Sequence, residues 1–254
     1  MKTIILAGGF GTRFSEYTED LPKPLIQIKE KPILWHIMNS YAQFGHNEFY
    51  VALGYKGDKI KSYFLNYKML NSDFEVDLSN GLINDFNQSN IDWKISLVDT
   101  GLNTLTGGRA KKIHKFIGNE TCMLTYGDGL SDVDIDKLIA FHRSHGKMIT
   151  MTAVRPSARF GELIMDGDKV VSFQEKPQLH DGWINGGFFV IEPEFFNLIK
   201  GENIMLEREP LSQAVNMGEL MCYKHDGFWQ CMDSKRDHEL LEFLCKENKY
   251  PWLK

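Results

Sequence analysis

Apolar runs, and the glycines and prolines that interrupt them, set out the elements of this chain. Residues 2–7 (KTIILA), apolar without alternation from Ile4 to Ala7, read as a short strand covered on both faces. A glycine-rich turn follows at Gly8 to Thr12, and Pro22, Pro24 and Pro32 punctuate a loop with a short strand around Leu25 to Ile28. Ile33, Ile37, Met38 and Tyr41 recur at helical spacing between Pro32 and Phe44, and Gly45 supplies the stop. Strands are predicted at Glu48 to Leu53, Lys94 to Val98, Thr121 to Thr125 and Met148 to Val154, and helices at Gly57 to Phe64 and Asp134 to His145.

Beyond Val154 the pattern shortens. Gly161 to Met165, Lys169 to Gln174 and Trp183 to Ile191 read as strands. Pro210 to Gly218 reads as a helix, with proline at its start and glycine at its end. Ser234 to Lys246 reads as the last helix, with Ser234 and Asp237 spaced as a capping box. Residues 70–90 are rich in Asn and Asp with weak periodicity and are expected to be irregular. The alternation of strand and helix in the first half predicts an α/β fold, a Rossmann-like, mostly parallel sheet with helices on both faces. The more mixed second half predicts added antiparallel strands and a small lobe. No repeat, low-complexity tract or linker breaks the chain, so a single domain over residues 1–254 is expected.

Composition narrows the partners. A net charge of −5 offers no global basic field for nucleic acid or an anionic membrane, so a bound polyphosphate needs a local site. No segment approaches the ~20 apolar residues of a membrane span, and the apolar run at Ile4 to Ala7 is too short for a signal peptide. Cys122, Cys222, Cys231 and Cys245 form no CxxC pair and no zinc-like spacing, which fits reduced thiols in a cytoplasmic protein.

The chemistry begins at Gly8-Gly9-Phe10-Gly11-Thr12-Arg13. A strand feeding such a turn exposes backbone N–H groups that can cradle phosphate. It is not a Walker loop, because the Gly146-Lys147 pair continues with Met148. It is not a dinucleotide fingerprint either, because Phe14 stands where the third glycine belongs. Arg13 and Lys23 can neutralise a triphosphate, and Pro22 and Pro24 on either side of Lys23 aim its side chain.

Here the sequence resembles the sugar-phosphate nucleotidyltransferase family. The resemblance continues through Tyr126-Gly127-Asp128-Gly129, Glu175-Lys176-Pro177, Ile184-Asn185-Gly186-Gly187-Phe188, Glu209-Pro210-Leu211 and Gly227-Phe228-Trp229-Gln230. It covers essentially the whole chain and is strongest toward the cytidylyl-transferring branch. It implies the nucleotide-diphospho-sugar transferase fold, with residues to about 130 holding nucleotide and the remainder forming a sugar-phosphate-binding half. It also implies CTP and glucose 1-phosphate as substrates, Mg²⁺ as cofactor and a homo-oligomer.

Residue by residue, the resemblance places Leu6, Ala7, Gly8, Gly9, Gly11, Thr12, Arg13, Lys23, Thr104, Arg109 and Gly127 at the nucleotide. It places Gly161, Glu175, Lys176, Asn185 and Gly186 at the sugar phosphate, and Asp128 and Asp233 at the metal. Arg13, Lys23 and Asp128 are the expected catalytic groups. Each has a plainer reading: Asp128 as a turn residue, Asp233 as a helix cap, Glu175-Lys176 as an exposed ion pair, Arg109 as a helix-surface arginine. Asp132, Asp134 and Asp136 read as a helix start, and His142 and His145 as a solvated helix face. Cys231 departs from the family pattern, where proline is expected. A different nucleotide or acceptor, or a nucleotide-binding protein without turnover, stays open from the sequence.

Overall fold

The computed structural model describes residues 1–14, 18–86, 91–156, 162–174 and 182–253, with the backbone alone at Arg13, 162–164, 166, 173 and 174. Its strands are β1 (Thr3–Leu6), β2 (Gln27–Ile28), β3 (Lys31–Pro32), β4 (Glu48–Leu53), β5 (Phe74–Asp77), β6 (Leu82–Asp85), β7 (Lys94–Asp99), β8 (Cys122–Tyr126), β9 (Gly129–Ser131), β10 (Ile149–Val154), β11 (Glu162–Asp166), β12 (Lys169–Gln174), β13 (Ile184–Ile191), β14 (Leu220–His225) and β15 (Trp229–Cys231). Its helices are α1 (Ile33–Ala42), α2 (Gly57–Leu65), α3 (Tyr67–Leu70), α4 (Thr106–Ile117), α5 (Ile135–His145), α6 (Glu209–Asn216) and α7 (Lys235–Lys246).

Seven strands build one sheet in the order β14-β10-β13-β8-β1-β4-β7. β1 lies parallel to β4 and β8, β4 to β7, and β10 to β14. β13 alone runs against both its neighbours, β8 and β10. The sheet is therefore mixed and mostly parallel, and the antiparallel part expected in the second half is β13 together with the β11–β12 hairpin.

The unbroken apolar runs follow from cover on both faces. Ile5, Val51 and Leu53 point into a core with Ile33, Leu34, Ile37 and Met38 of α1. Ile4, Leu6, Tyr50 and Ala52 point to the other side, onto Ala110, Ile113 and Ile117 of α4. α1 ends at Ala42, and Gly45 takes φ +78° as the chain leaves it, the left-handed turn that glycine tolerates best.

Several stretches differ from the sequence reading, strands β9, β14 and β15 among them, which it did not place. Residues 70–90 are not all irregular: β5 and β6 form an antiparallel hairpin. Its turn is made by side chains, with Asp77 accepting from Ser79 N and Asn80 Nδ2 and Gly81 at φ +74°. Its strands are mostly exposed, Leu82 at 62% among them, so no buried stripe announces them. α4 was given no bounds in that reading, although Arg109 was weighed as a helix residue, and Gly107 and Gly108 are poor helix formers in its first turn. The structure requires them there. A Cβ on Gly108 would lie 2.2 Å from the Glu202 carbonyl, and one on Gly107 2.8 Å from that of Ile204.

The histidines of α5 also correct the reading. His142 is buried, between the Thr150 hydroxyl at 2.8 Å and Glu192 at 3.1 Å, rather than on a solvated face. Among the three acids before and within α5, Asp134 caps the helix by accepting from Lys137 N, whereas Asp132 pairs with His225 at 2.8 Å.

His36 joins α1 to the end of the chain. Its Nδ1 accepts from Trp252 Nε1 at 3.2 Å, so its Nε2 carries the hydrogen donated to the Ile28 carbonyl at 3.0 Å. Burial holds the pKa of this imidazole below the usual histidine value. The unfolded chain binds a proton that the folded chain resists, so the His36 contribution is full above about pH 6.5 and falls as pH drops through that value. In urea melts, His36→Gln is expected to flatten stability against pH between 7.5 and 5.5 by up to one proton, about 1.4 kcal/mol per pH unit. An unchanged slope would show that His36 is protonated without cost in the fold.

Candidate functional site

A cleft of about 710 Å³ opens where β1 and β8 end and runs into the loops that follow them. It lies at the carboxyl ends of parallel strands, where open α/β sheets bind ligands. Leu6 to Gly9, Gly11 and Thr12 form one wall, and Lys23, Thr104, Arg109, Gly127, Asp128, Asn185 and Asp233 line the same cleft. Positions 6 to 233 of the chain thus meet in one place. Gly186 lies beside it, its carbonyl accepting from Trp229 Nε1 at 2.8 Å. Gly161, Glu175 and Lys176 fall outside the described residues, as does the side chain of Arg13.

The glycine loop is held from below. Arg109 is only 4% exposed, so it is no surface arginine. Its guanidinium donates to the carbonyls of Leu53 (2.7 Å), Gly8 (2.9 Å) and Leu102 (3.1 Å) and to Thr100 Oγ1 (2.6 Å). The fork fits under Gly8 because that residue has no side chain: a Cβ there would stand 2.2 Å from Arg109 Nη1. Thr104, also buried, donates to the Thr100 carbonyl at 2.6 Å and so fixes the next turn of the same wall.

Lys23 begins a 3-10 turn between Pro22 and Leu25, and its ammonium reaches across the cleft. It donates to Asp128 Oδ2 at 2.6 Å and also to Asp233 Oδ1. Burial opposes its charge, yet the two carboxylates outweigh that and hold its pKa above the ordinary lysine value. The pairing of β9 with β15 explains how residues 105 positions apart meet. Gly129 faces Cys231 in that ladder, and Met232 N donates to the Asp128 carbonyl at 2.8 Å, which sets the two acids side by side. Asp233 does not cap α7: Ser234 does, and Asp237 accepts from the Asp233 N–H at 3.0 Å. Gly127 lets the strand end close on Leu6, since a Cβ there would lie 2.9 Å from the Leu6 carbonyl.

Cys231, the departure from the family pattern, contributes its backbone to this ladder. Burial, with Asp233 and Asp128 close by, pushes its thiol up to about 12, so it stays protonated and unreactive. All four cysteines are free.

Sequence reasoning missed a second polar group in the cleft. Glu207 accepts from Tyr126 Oη at 2.7 Å and from Thr106 Oγ1 at 2.6 Å, and Asn185 Nδ2 donates to Tyr126 Oη at 3.2 Å. Tyr126 sat inside a quoted motif, but nothing in the Met205-Leu206-Glu207 stretch signals a cleft. Only the contact of α4 with residues 202–206 brings it there.

The sheet, its open carboxyl end and a cation gripped by two carboxylates define an α/β protein built to handle phosphate groups. Its family is nucleotidyl transferase, to which the chain belongs: that family's model matches residues 2–231. The chain is 45% identical over 253 residues to glucose-1-phosphate cytidylyltransferase of Salmonella typhi, covering 99% of this chain and 98% of that one. It is equally 45% identical over 253 residues to the probable glucose-1-phosphate cytidylyltransferase of Bacillus subtilis, covering 99% of each. Among solved structures, HddC from Yersinia pseudotuberculosis superposes with a TM-score of 0.70 at 22% identity, over 98% of this chain and 99% of that one. The fold is that of the nucleotide-diphospho-sugar transferases. Among the described residues, no helix is long and apolar enough to cross a membrane.

Proposed function

We propose that the chain transfers the cytidylyl group of CTP to glucose 1-phosphate, giving CDP-glucose and pyrophosphate. The observation that carries this reading is the convergence of Lys23, Asp128 and Asp233 in a cleft walled by the glycine loop. Near-full-length similarity to two proteins named for this reaction supports the choice of substrates.

A phosphate oxygen of the acceptor attacks the α-phosphorus of CTP in line, and pyrophosphate departs. That oxygen is already ionised at neutral pH, so no general base is needed, and positioning with charge neutralisation carries the rate. The glycine loop offers backbone donors to the triphosphate, with Arg109 holding the loop in shape. Lys23 meets the charge that develops at the α-phosphate, Arg13 that of the departing pyrophosphate, and Lys176 with Glu175 and Gly161 takes the acceptor.

The carboxylates fit Mg²⁺. They already converge on one cation, the Lys23 ammonium, and two carboxylates with substrate phosphates are a usual donor set for this ion. When bound, Mg²⁺ supplies further neutralisation of the phosphate oxygens.

The test is pyrophosphate release with Mg²⁺ and glucose 1-phosphate, comparing CTP, UTP, dTTP, ATP and GTP. Release with CTP alone is the expected result. Comparable release with UTP or dTTP removes the base assignment, and no release with any nucleotide removes the acceptor or the activity itself.

A further inference from the structure

Glu207 places a carboxylate in the wall of a cleft that receives anions, and the hydrogen bonds around it have a fixed direction. Tyr126 Oη lies 2.7 Å from Glu207 Oε1, and the phenol is the partner that supplies the hydrogen of this bond. That proton is given to Glu207, which leaves Tyr126 Oη able only to accept, and Asn185 Nδ2 donates to it. The other end of the same amide, Asn185 Oδ1, accepts from Gly187 N at 2.9 Å. The second Glu207 oxygen is bonded by Thr106 Oγ1 at the first residue of α4, and that hydroxyl accepts from Leu206 N at 2.9 Å.

A chain of bonds thus runs from α4 on the nucleotide wall, through Glu207 and Tyr126, to the start of β13 at Asn185, where its register against β10 shifts. That irregular stretch is seated on Tyr126 as well: Gly187 adopts φ +79°, and a Cβ on it would come within 3.1 Å of the Tyr126 ring. Without the Glu207 acceptor, the Tyr126 hydroxyl is free to turn and donate toward Asn185, and the amide is left with the Gly187 N bond alone of the two that define its orientation.

We propose that Glu207 is a positioning residue for the sugar-phosphate acceptor, acting through Tyr126 to fix which way the Asn185 amide faces. The assignment rests on the transfer reaction proposed above. The experiment is steady-state kinetics of the full-length protein with CTP and glucose 1-phosphate varied separately, beginning with the unaltered chain; lack of turnover there sinks the reaction rather than the role of Glu207.

Glu207→Ala is expected to raise KM for glucose 1-phosphate about tenfold while KM for CTP stays within about twofold. Glu207→Gln keeps an oxygen for Tyr126 and restores most of the loss. Tyr126→Phe cuts the chain at its middle, leaves Glu207 in place and reproduces the alanine effect. A thermal melt accompanies each variant, so that a loss of folding is not read as a loss of affinity. An unchanged acceptor KM in Tyr126→Phe, or a parallel rise of both KM values in Glu207→Ala and Tyr126→Phe, overturns the assignment.

Discussion

Asp128→Asn lowers turnover by about 10²–10³-fold while the folded chain remains intact, and Lys23→Ala produces a loss of the same order. The expectation follows from what each group faces. Asp128 and Asp233 grip a single cation, and Lys23 is that cation in the structure. Removing one negative charge at Asp128 leaves a carboxamide of the same shape, so the backbone has no reason to move. The Gly129 to Ser131 ladder and the Met232 bond to the Asp128 carbonyl do not involve the side chain. What is lost is charge placed where the transition state needs it, and that loss appears in kcat more than in KM. The Asp128→Asn protein should also need more Mg²⁺ for half-maximal rate. Lys23→Ala differs in kind, because it takes the shared ammonium away from two acids that both point at it. Pyrophosphate release at saturating CTP and glucose 1-phosphate, with a far-ultraviolet dichroism spectrum as the control for folding, decides the matter. Near-normal turnover in either folded variant would remove these residues from the chemistry.

Much of this was legible in the sequence because its physics is local. An apolar run such as Thr3 to Leu6 has only one use in a two-faced sheet. A glycine turn after it, with Lys23 fixed between prolines, declares a phosphate loop before any tertiary contact is known. The strand β12 and the Ser234 cap were placed from a few neighbouring residues alone. What stayed hidden depends on partners far away in the chain. Asp233 looks like a helix cap until β15 pairs with β9 and carries it to Asp128. α4 begins with two glycines whose reason is the backbone of residues 202–206, about a hundred positions on. Glu207 is one acid among many until that same contact turns it toward Tyr126. His142 looks exposed from its helix spacing, and only the arrival of Thr150 and Glu192 buries it. The β5–β6 hairpin was missed for the opposite reason: with little burial, its pattern carries no periodic signal.

Arg109→Met is expected to cost about 1.5–3 kcal/mol of folding stability, a sizeable share of the roughly 5–15 kcal/mol that holds a domain of ordinary stability together. Methionine preserves much of the volume but none of the donors. The carbonyls of Leu53, Gly8 and Leu102 and the Thr100 hydroxyl lose the guanidinium that serves all four. The Leu53 carbonyl keeps the Thr100 N–H and hydroxyl as donors and the Gly8 carbonyl keeps Tyr55 N, so the deficit is the loss of the charged hydrogen bonds rather than four bare acceptors. Lysine rescues only part of it, because three donors on one nitrogen cannot reproduce a planar fork spread over two. The packing supports the same conclusion from the other side. A Cβ on Gly54 would lie 2.5 Å from Arg109 Nη1 and 2.6 Å from the Gly8 carbonyl, so Gly54→Ala should push the guanidinium out of place. Urea melts of Arg109→Met, Arg109→Lys and Gly54→Ala should therefore rank with the methionine variant lowest. KM for CTP should rise in each, because the glycine loop loses its anchor at Gly8. A melt of Arg109→Met within about 1 kcal/mol of the unaltered chain would mean that the donors these carbonyls keep suffice, and that the loop does not owe its shape to the guanidinium.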